Sequence, residues 1–499
     1  MADRLAQFAA RPTRVRLGLL ALLGMLAGLG QAPFDLWPVT LLALAALFVI
    51  YPISQTPRQA ALHVWAFGFG YFAFSLRWII EPFLVDIARH GWMAPFALVL
   101  MGAGAALFWA AAAWVASRVA PGRAAILGLL IVGAEVLRSL VLTGFPWALL
   151  GHVWVKTWLA QVAALGGPHL LTLLTVLCGL AVALLVTRVR ILGLVALGLV
   201  LALSIVLRPD PVLPPNEEAP IVRLVQPNAP QHQKWDPAFS DVFLSRLLRL
   251  SREGDVPDLV VWPETAIAYL LNHIEDDLSF LSDAARGAPL VFGIQRLDTE
   301  ANAYNSLVVL GAGGDVQSIY DKRHLVPFGE YMPGARLLGE MGATGLARNL
   351  GIGFTPGALP GPVDLPGVGP AVPLICYEGI FAEEITYGET RPRLLLLITN
   401  DAWFGKAAGP HQHLAQAQLR AIEQGLPMVR VANTGISAMI DANGRIVAAI
   451  PLGVDGAIDV PLPPVLAATP YSHWGDGPVL ALLFLLILGA YLMVRHYRD

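Results

Sequence analysis

A multi-pass α-helical membrane bundle joined to a soluble α/β domain is the fold class the sequence predicts, on three observations. The 499 residues are 56% hydrophobic and only 14% charged, where a soluble globular chain carries roughly 25% charged residues. Mean hydropathy is +0.62. The apolar excess fills residues 15–207 and returns at 478–494, whereas 208–477 has the charges, turns and short apolar runs of a soluble domain.

A bilayer-spanning helix needs about 20 mostly apolar residues. Seven candidates precede the soluble region, at about 15–31, 36–53, 60–80, 93–117, 123–142, 158–186 and 190–207, and an eighth covers 478–494. The bundle is thus expected within 1–208. A cleaved signal peptide is the other reading of the first segment, but Gln31-Ala32-Pro33 is a poor cleavage site and more spans follow. Lys/Arg bias sets orientation. An even span count puts both termini on one side, with Arg4, Arg11, Arg14, Arg16, Arg495 and Arg498. The loops holding Arg58, Arg118, Arg123, Arg188 and Arg190 fall on that side too, while the opposite loops hold Arg89 and Lys156, plus Arg208 at the domain entry. Both termini are therefore expected in the cytoplasm and the soluble domain outside it. Arg77, Glu135 and Arg138 lie in or beside spans, where charge is costly and usually functional. The plainer expectation is an ion pair, because Glu135 and Arg138 share a helix face.

After the linker Pro209-Asp210-Pro211-Val212-Leu213-Pro214-Pro215, strand and helix signals alternate. Ile221–Gln226 reads as a strand. Asp236-Pro237 supplies an N-cap and an N1 proline for a helix with Phe239, Phe243, Leu247 and Leu250 on one face. Leu259–Trp262, Leu290–Ile294, Ser306–Leu310, Val372–Cys376 and Leu394–Thr399 are apolar runs suited to strands buried on both faces. His411–Gln424 reads as an amphipathic helix with Ala415, Leu419 and Ile422 inward, His411 and His413 being polar residues of its start. Strands at Val429–Ala432, Ser437–Ile440 and Ile446–Ile450 follow, the last two joined by an Asn443-Gly444 turn.

Chemistry-bearing residues stand where strands run out. Glu264 follows Val260-Val261-Trp262-Pro263, and Cys376 ends Val372-Pro373-Leu374-Ile375 beside Tyr377 and Glu378. Tyr320-Asp321-Lys322 leads to Glu330. In α/β folds the C-terminal ends of strands converge on the ligand crevice. A thiol is a weak nucleophile until a base removes its proton or a cation lowers its pKa. Glu264 can be that base, and Lys322 can stabilise the oxyanion formed when the thiolate attacks an acyl carbonyl. The Tyr377 backbone N–H is a natural second oxyanion donor, and Glu330 can hold Lys322 or serve in later proton transfer. Each residue alone also has an ordinary explanation as a packed cysteine, a turn or a solvated lysine. Cys376 and Cys178 are the only two cysteines and lie in different regions, so no disulfide framework is implied. An unpaired thiol in an extracytoplasmic domain lacks a structural reason to be there.

The order Glu264, Lys322, Cys376 resembles the signature of the carbon–nitrogen hydrolase (nitrilase) superfamily, across roughly 219–465. The resemblance implies an α-β-β-α sandwich. It extends over nearly the whole chain in the superfamily's membrane branch, which joins a nitrilase domain to an N-terminal bundle and one C-terminal span. Leu325-Val326-Pro327-Phe328-Gly329-Glu330-Tyr331, Ile375-Cys376-Tyr377-Glu378, Asn400-Asp401-Ala402-Trp403-Phe404-Gly405 and Asn433-Thr434-Gly435-Ile436-Ser437 carry it. Tyr304-Asn305-Ser306 and Gln233-Lys234-Trp235 fit as well.

That branch implies an acyltransferase of the bacterial inner membrane. It moves an acyl chain from a phospholipid, typically phosphatidylethanolamine, through a cysteine thioester to the α-amino group of a diacylglyceryl-cysteine on an apolipoprotein. No cofactor or metal is implied. Net charge of −3 gives no footprint for nucleic acid. Trp235, Asn305 and Trp403 are expected to bind substrate, with Tyr377 and Glu378 as oxyanion or supporting groups. The 331–350 loop, with Met332, Leu337, Leu338, Met341, Leu346 and Leu350, is expected to form an apolar lid. The alternative is a membrane-tethered amidase or nitrilase acting on a small carbon–nitrogen substrate with water as acceptor.

Overall fold

The computed structural model describes residues 2–187, 189–209, 218–274, 278–334, 353–358, 361–385, 387–388 and 390–496. The chain divides into two compact units, one of Met1–Val212, Ala407–Gln424 and Ala468–Asp499, the other of Leu213–Lys406 and Gly425–Ala467.

In the first unit a helix stands at each expected span. These are α1 (Thr13–Ala27), α2 (Trp37–Ile50), α3 (Pro57–Ser75), α4 (Ala94–Val119), α5 (Ala124–Leu140), α6 (Ala163–Leu184) and α7 (Arg190–Val206), followed at the far end of the chain by Gly477–His496. Among the described residues five stretches are long and apolar enough to cross a membrane: Thr13–Gly30, Ile87–Val119, Ala124–Thr143, Trp158–Leu184 and Gly477–His496. The helix at the sixth expected span is not one smooth helix. It breaks at Gly166-Gly167-Pro168, where Gly167 has φ +66° and a Cβ there would lie 2.3 Å from the Tyr471 ring. Proline has no N–H to continue the ladder, so the regular helix resumes beyond it.

The expected intrahelical pair is present: Arg138 Nη2 meets Glu135 Oε2 at 2.8 Å, both buried. Trp109 Nε1 donates to Glu135 Oε1 at 2.8 Å, and Arg138 donates to the carbonyls of Phe145 and Trp147. Arg77 instead lies against the Phe34 and Phe74 rings, with its guanidinium 5.2 and 4.7 Å from their centroids.

One expectation needs correction. The Gly409–Gln424 helix belongs to the membrane unit and is buried on every side, not on one face. Ala415, Leu419 and Ile422 do face an apolar cluster, with Leu41, Trp154, Leu159 and Leu171. Its polar residues are enclosed too. Gln412 accepts from Trp147 Nε1 at 2.7 Å and donates to the carbonyls of Ser75 and Ala32, while Arg420 pairs with Glu423 at 2.5 Å. Buried polar groups persist only when such partners satisfy them, and hydrophobic periodicity cannot register a partner.

Among the described residues the second unit is built on two six-stranded sheets, ordered β12-β1-β2-β3-β4-β5 and β11-β10-β9-β8-β7-β6. The first contains β1 (Ile221–Gln226), β2 (Leu259–Val261), β3 (Leu290–Leu297), β4 (Ala303–Leu310), β5 (Val316–Asp321) and β12 (Gly456–Pro461). The second contains β6 (Val363–Leu365), β7 (Gly369–Ile375), β8 (Leu394–Thr399), β9 (Met428–Ala432), β10 (Ser437–Ile440) and β11 (Ile446–Ile450). In each sheet three central strands are parallel, β1-β2-β3 in one and β7-β8-β9 in the other.

Strand alternation divides the core. Leu259 and Val261 point between the sheets with Val222, Leu224, Val291, Leu396, Ile398 and Val431. Val260 and Trp262 point the other way, onto Leu247, Leu250 and Leu281 of the helices covering the first sheet. Helix α8 (Gln231–Lys234) precedes α9 (Pro237–Arg252), which opens as expected, Asp236 Oδ1 accepting from Ala238 N at 2.9 Å. Phe243, Leu247 and Leu250 of α9 are buried, whereas Phe239 is 37% exposed.

Candidate active site

The reactive residues stand at the C-terminal ends of strands, most of them the parallel ones. Cys376 follows β7, Asn400 follows β8 and Asn433 follows β9; Glu264 lies beyond β2, and Lys322 directly follows β5. Cys376 has φ +52°, the left-handed conformation that only a sharp turn demands of a non-glycine residue. The turn is held by Glu378, whose Oε2 accepts from Ile375 N at 2.7 Å. Its Oε1 accepts from Tyr320 OH at 2.9 Å and from Arg323 N at 2.7 Å. Glu378 therefore ties the cysteine turn to the lysine segment rather than facing a reacting carbonyl. Burial pushes its carboxyl above the usual range, against those hydrogen bonds.

Glu264 is 5% exposed and both its oxygens are engaged. Asn305 Nδ2 donates to Oε1 at 2.7 Å and Asn400 N donates to Oε2 at 2.8 Å. The turn bearing it lies on β3: Ala266 N donates to Gly293 O at 2.8 Å and Gly293 N to Pro263 O at 3.1 Å. A Cβ on Gly293 would sit 2.5 Å from Thr265 N and 2.6 Å from Glu264 Cα, so only glycine admits this approach.

Lys322, 1% exposed, places Nζ 2.8 Å from Glu330 Oε1 and 3.6 Å from Glu264 Oε1. Glu330 Oε2 accepts from Val326 N at 2.7 Å, and Asn305 Nδ2 reaches Glu330 Oε1 at 3.3 Å. Burial disfavours the lysine's charge, but Glu330, Glu264 and Cys376 outweigh it and hold the ammonium above the usual lysine range. Burial, then Glu264, pushes the Cys376 thiol well up; Lys322 opposes this, Asp401 adds to it, and a hydrogen bond with Thr399 lowers it. A neutral thiol thus rests beside a carboxylic base and a cation that keeps its charge. Such a set can deprotonate sulfur as it attacks and stabilise an oxyanion.

Sequence reasoning singled out Cys376, Glu264, Lys322 and Glu330, and the structure brings all four together. It sets Asn305 between the two carboxylates. Trp235 and Trp403 are 44% and 40% exposed, and Phe328, two residues before Glu330, is 75% exposed. The Tyr377 ring packs edge-on against Phe381, centroids 5.0 Å apart. Nearly all of the expected lid, 335–350, lies outside the described residues. Three supporting residues were not foreseen. Asn400 Nδ2 donates to Gln231 Oε1 at 2.9 Å, and Asn433 Nδ2 to Asn400 Oδ1 at 2.9 Å, forming an amide chain behind Glu264. The Asn400-Asp401 and Asn433-Thr434 motifs were the available signal, since each begins where an apolar strand stops. Among the described residues no group of three or more His, Cys, Asp or Glu side chains is placed to hold a metal ion.

Comparison with known proteins agrees with both units. Residues 23–181 match the apolipoprotein N-acyltransferase N-terminal domain family, and residues 222–471 match the carbon-nitrogen hydrolase family. An apolipoprotein N-acyltransferase of Rhodopseudomonas palustris is 37% identical, covering 95% of this chain and 94% of that protein. One from Caulobacter vibrioides is also 37% identical, over 93% and 92% of the two chains. A solved CN-hydrolase superfamily protein from Xanthomonas campestris is 21% identical, covering 53% of this chain and 96% of its own, with a TM-score of 0.35.

Proposed function

The chain belongs to the apolipoprotein N-acyltransferase family and is an enzyme of lipoprotein N-acylation, and we propose that it works by ping-pong transfer through a thioester on Cys376. Glu264 takes the Cys376 proton as sulfur attacks the ester carbonyl of a membrane phospholipid. The C–S bond forms, the C–O ester bond breaks, and Glu264 returns the proton to the departing lysophospholipid oxygen. In the second half the α-amino nitrogen of a diacylglyceryl-cysteine attacks the thioester. The C–N bond forms, the C–S bond breaks, and the amine proton passes by way of Glu264 to the thiolate. Lys322 and the Tyr377 backbone N–H stabilise the oxyanion in both halves, and Glu330 holds Lys322.

The observation carrying this reading is the cysteine turn with Glu264 and Lys322 in one buried cluster, on a chain whose apolar helices suit substrates dissolved in a bilayer. Phosphatidylethanolamine is the proposed donor. The proposed setting is the bacterial inner membrane, with seven spans before and one after the catalytic domain, both termini cytoplasmic and the catalytic domain periplasmic. The Lys/Arg bias of the loops supports that orientation. Trp235 and Trp403, exposed aromatics close in sequence to Lys234 and Asn400, are proposed to contact lipid or acceptor. Hydrolysis of a small carbon–nitrogen substrate is not favoured by relatives that match along the whole chain.

The test is protein reconstituted with phosphatidylethanolamine and given a diacylglyceryl-cysteinyl peptide, free or blocked at its amino group. The expected result is a mass gain of one acyl chain on the free peptide alone, matched by lysophospholipid. Release of free fatty acid with no acylated peptide would sink the transfer reading.

A further inference from the structure

The catalytic cluster contains a second lysine that the thioester route does not use. Lys234, the last residue of α8, is 4% exposed. Its Nζ donates to Thr265 Oγ1 at 2.7 Å and to the backbone carbonyl of Glu264 at 3.2 Å. It lies 5.7 Å from the Trp235 ring centroid. Taking an ammonium out of water costs several kcal/mol, by order of magnitude, unless nearby charge compensates. A hydroxyl and a carbonyl are weak compensation.

The charges acting on Lys234 are those of the reaction. Burial lowers its pKa to about 8, while Glu264, from the turn after β2, and Cys376, from the turn after β7, raise it. Behind these stand Lys322, 3.6 Å from Glu264, and Asp401, which raises the cysteine's pKa. The tether is equally specific. Thr265 has φ +43° and stacks over Gly293, so its hydroxyl bond to Lys234 secures a strained turn whose preceding residue is the base.

We propose that Lys234 is a positioning residue for acyl transfer: its ammonium fastens the Glu264-Thr265 turn and supplies a second positive charge that favours ionised Cys376. The inference rests on the thioester reading for its role in turnover, but its electrostatic part concerns the thiol alone. A protonated Lys234 favours the thiolate. That help is present below about pH 8 and fades as the lysine loses its proton at higher pH.

The experiment compares Lys234→Arg, Lys234→Gln and Lys234→Met in the full-length protein, with Cys178→Ala throughout so that one thiol remains. The readouts are the rate of Cys376 alkylation by iodoacetamide, below and well above pH 8, and the rate of lysophospholipid release from phosphatidylethanolamine vesicles. Gln keeps a donor without charge, and Met keeps neither. Both are expected to slow alkylation about tenfold at about pH 7, where Lys234 is charged, to leave it near the wild-type rate well above pH 8, and to slow release about tenfold or more. Arg keeps the charge and is expected to hold the wild-type alkylation rate at about pH 7 and restore most of the release rate. A purely structural lysine would lower thermal stability and leave alkylation unchanged. Unchanged alkylation at about pH 7 in folded Lys234→Gln overturns the proposal. Should the neutral variants not fold, Thr265→Val removes the tether without touching charge; release at the wild-type rate there also overturns it. Alkylation needs no acyl donor, so Lys234 is still tested if the wild type releases no lysophospholipid.

Discussion

Replacing Glu330 with Gln preserves shape and removes one charge, and its cost follows from two hydrogen bonds. Glu330 Oε1 accepts from Lys322 Nζ at 2.8 Å and Oε2 accepts from Val326 N at 2.7 Å. An amide has one acceptor oxygen. If that oxygen serves Val326, the NH₂ group faces the Lys322 ammonium and the Asn305 amide, donor against donor. If it serves Lys322, the NH₂ group faces the Val326 N–H. Either way the charge-assisted bond, worth about 1.5–3 kcal/mol, is lost or leaves a buried donor unmet at about 1–3 kcal/mol. Lys322 then relaxes toward Glu264 Oε1, now 3.6 Å away. A closer ammonium makes that carboxylate a poorer base. A loss of about 2–3 kcal/mol from the acylation transition state slows lysophospholipid release about 30- to 150-fold. Single-turnover release from vesicles, followed by mass spectrometry, measures it. A Glu330→Gln enzyme of normal Tm that stays within about twofold of wild type would refute the argument that Glu330 holds Lys322.

Three further outcomes are expected. Glu264→Gln should abolish lysophospholipid release yet lower the pH midpoint of Cys376 alkylation, because Glu264 is one of the groups that raise that thiol's pKa; a midpoint that rises would contradict the assignment. Gly293→Ala should reduce both Tm and acylation, since a Cβ would meet backbone at 2.5 and 2.6 Å and overpacking costs about 1–3 kcal/mol; wild-type acylation in that variant would show the turn free to move. Arg138→Met should destabilise the bundle by about 3–5 kcal/mol by stranding Glu135, read by thermal unfolding in detergent, and adding Glu135→Gln should recover part of the loss.

The helices and most strands were legible because their apolar runs are long or strictly periodic. The strands that escaped, Val316–Asp321, Val363–Leu365 and Gly456–Pro461, are short or half-exposed. Cys376 and Glu264 could be found because each follows a buried strand, where a polar residue needs a reason, whereas Lys322 follows the half-exposed Val316–Asp321 and was found through the chain order Glu264, Lys322, Cys376. Lys234, Asn400 and Asn433 stand in motifs that carry the family resemblance, but those motifs do not say which side chains they bond. Their roles depend on which side chains meet when strand ends from the two sheets converge, and periodicity along one strand carries no such information. The Gly409–Gln424 helix misled for the opposite reason. Gln412, Arg420 and Glu423 mark a wet face in a helical projection, yet each has a partner inside the membrane unit.

The most direct measurement is intact mass spectrometry of the purified protein after incubation with phosphatidylethanolamine, wild type against Cys376→Ser. The expected result is one acyl adduct on wild type alone, removed by hydroxylamine and matched by lysophospholipid. An adduct that persists in Cys376→Ser, or none on either protein from an active lipid preparation, would contradict a thioester on Cys376.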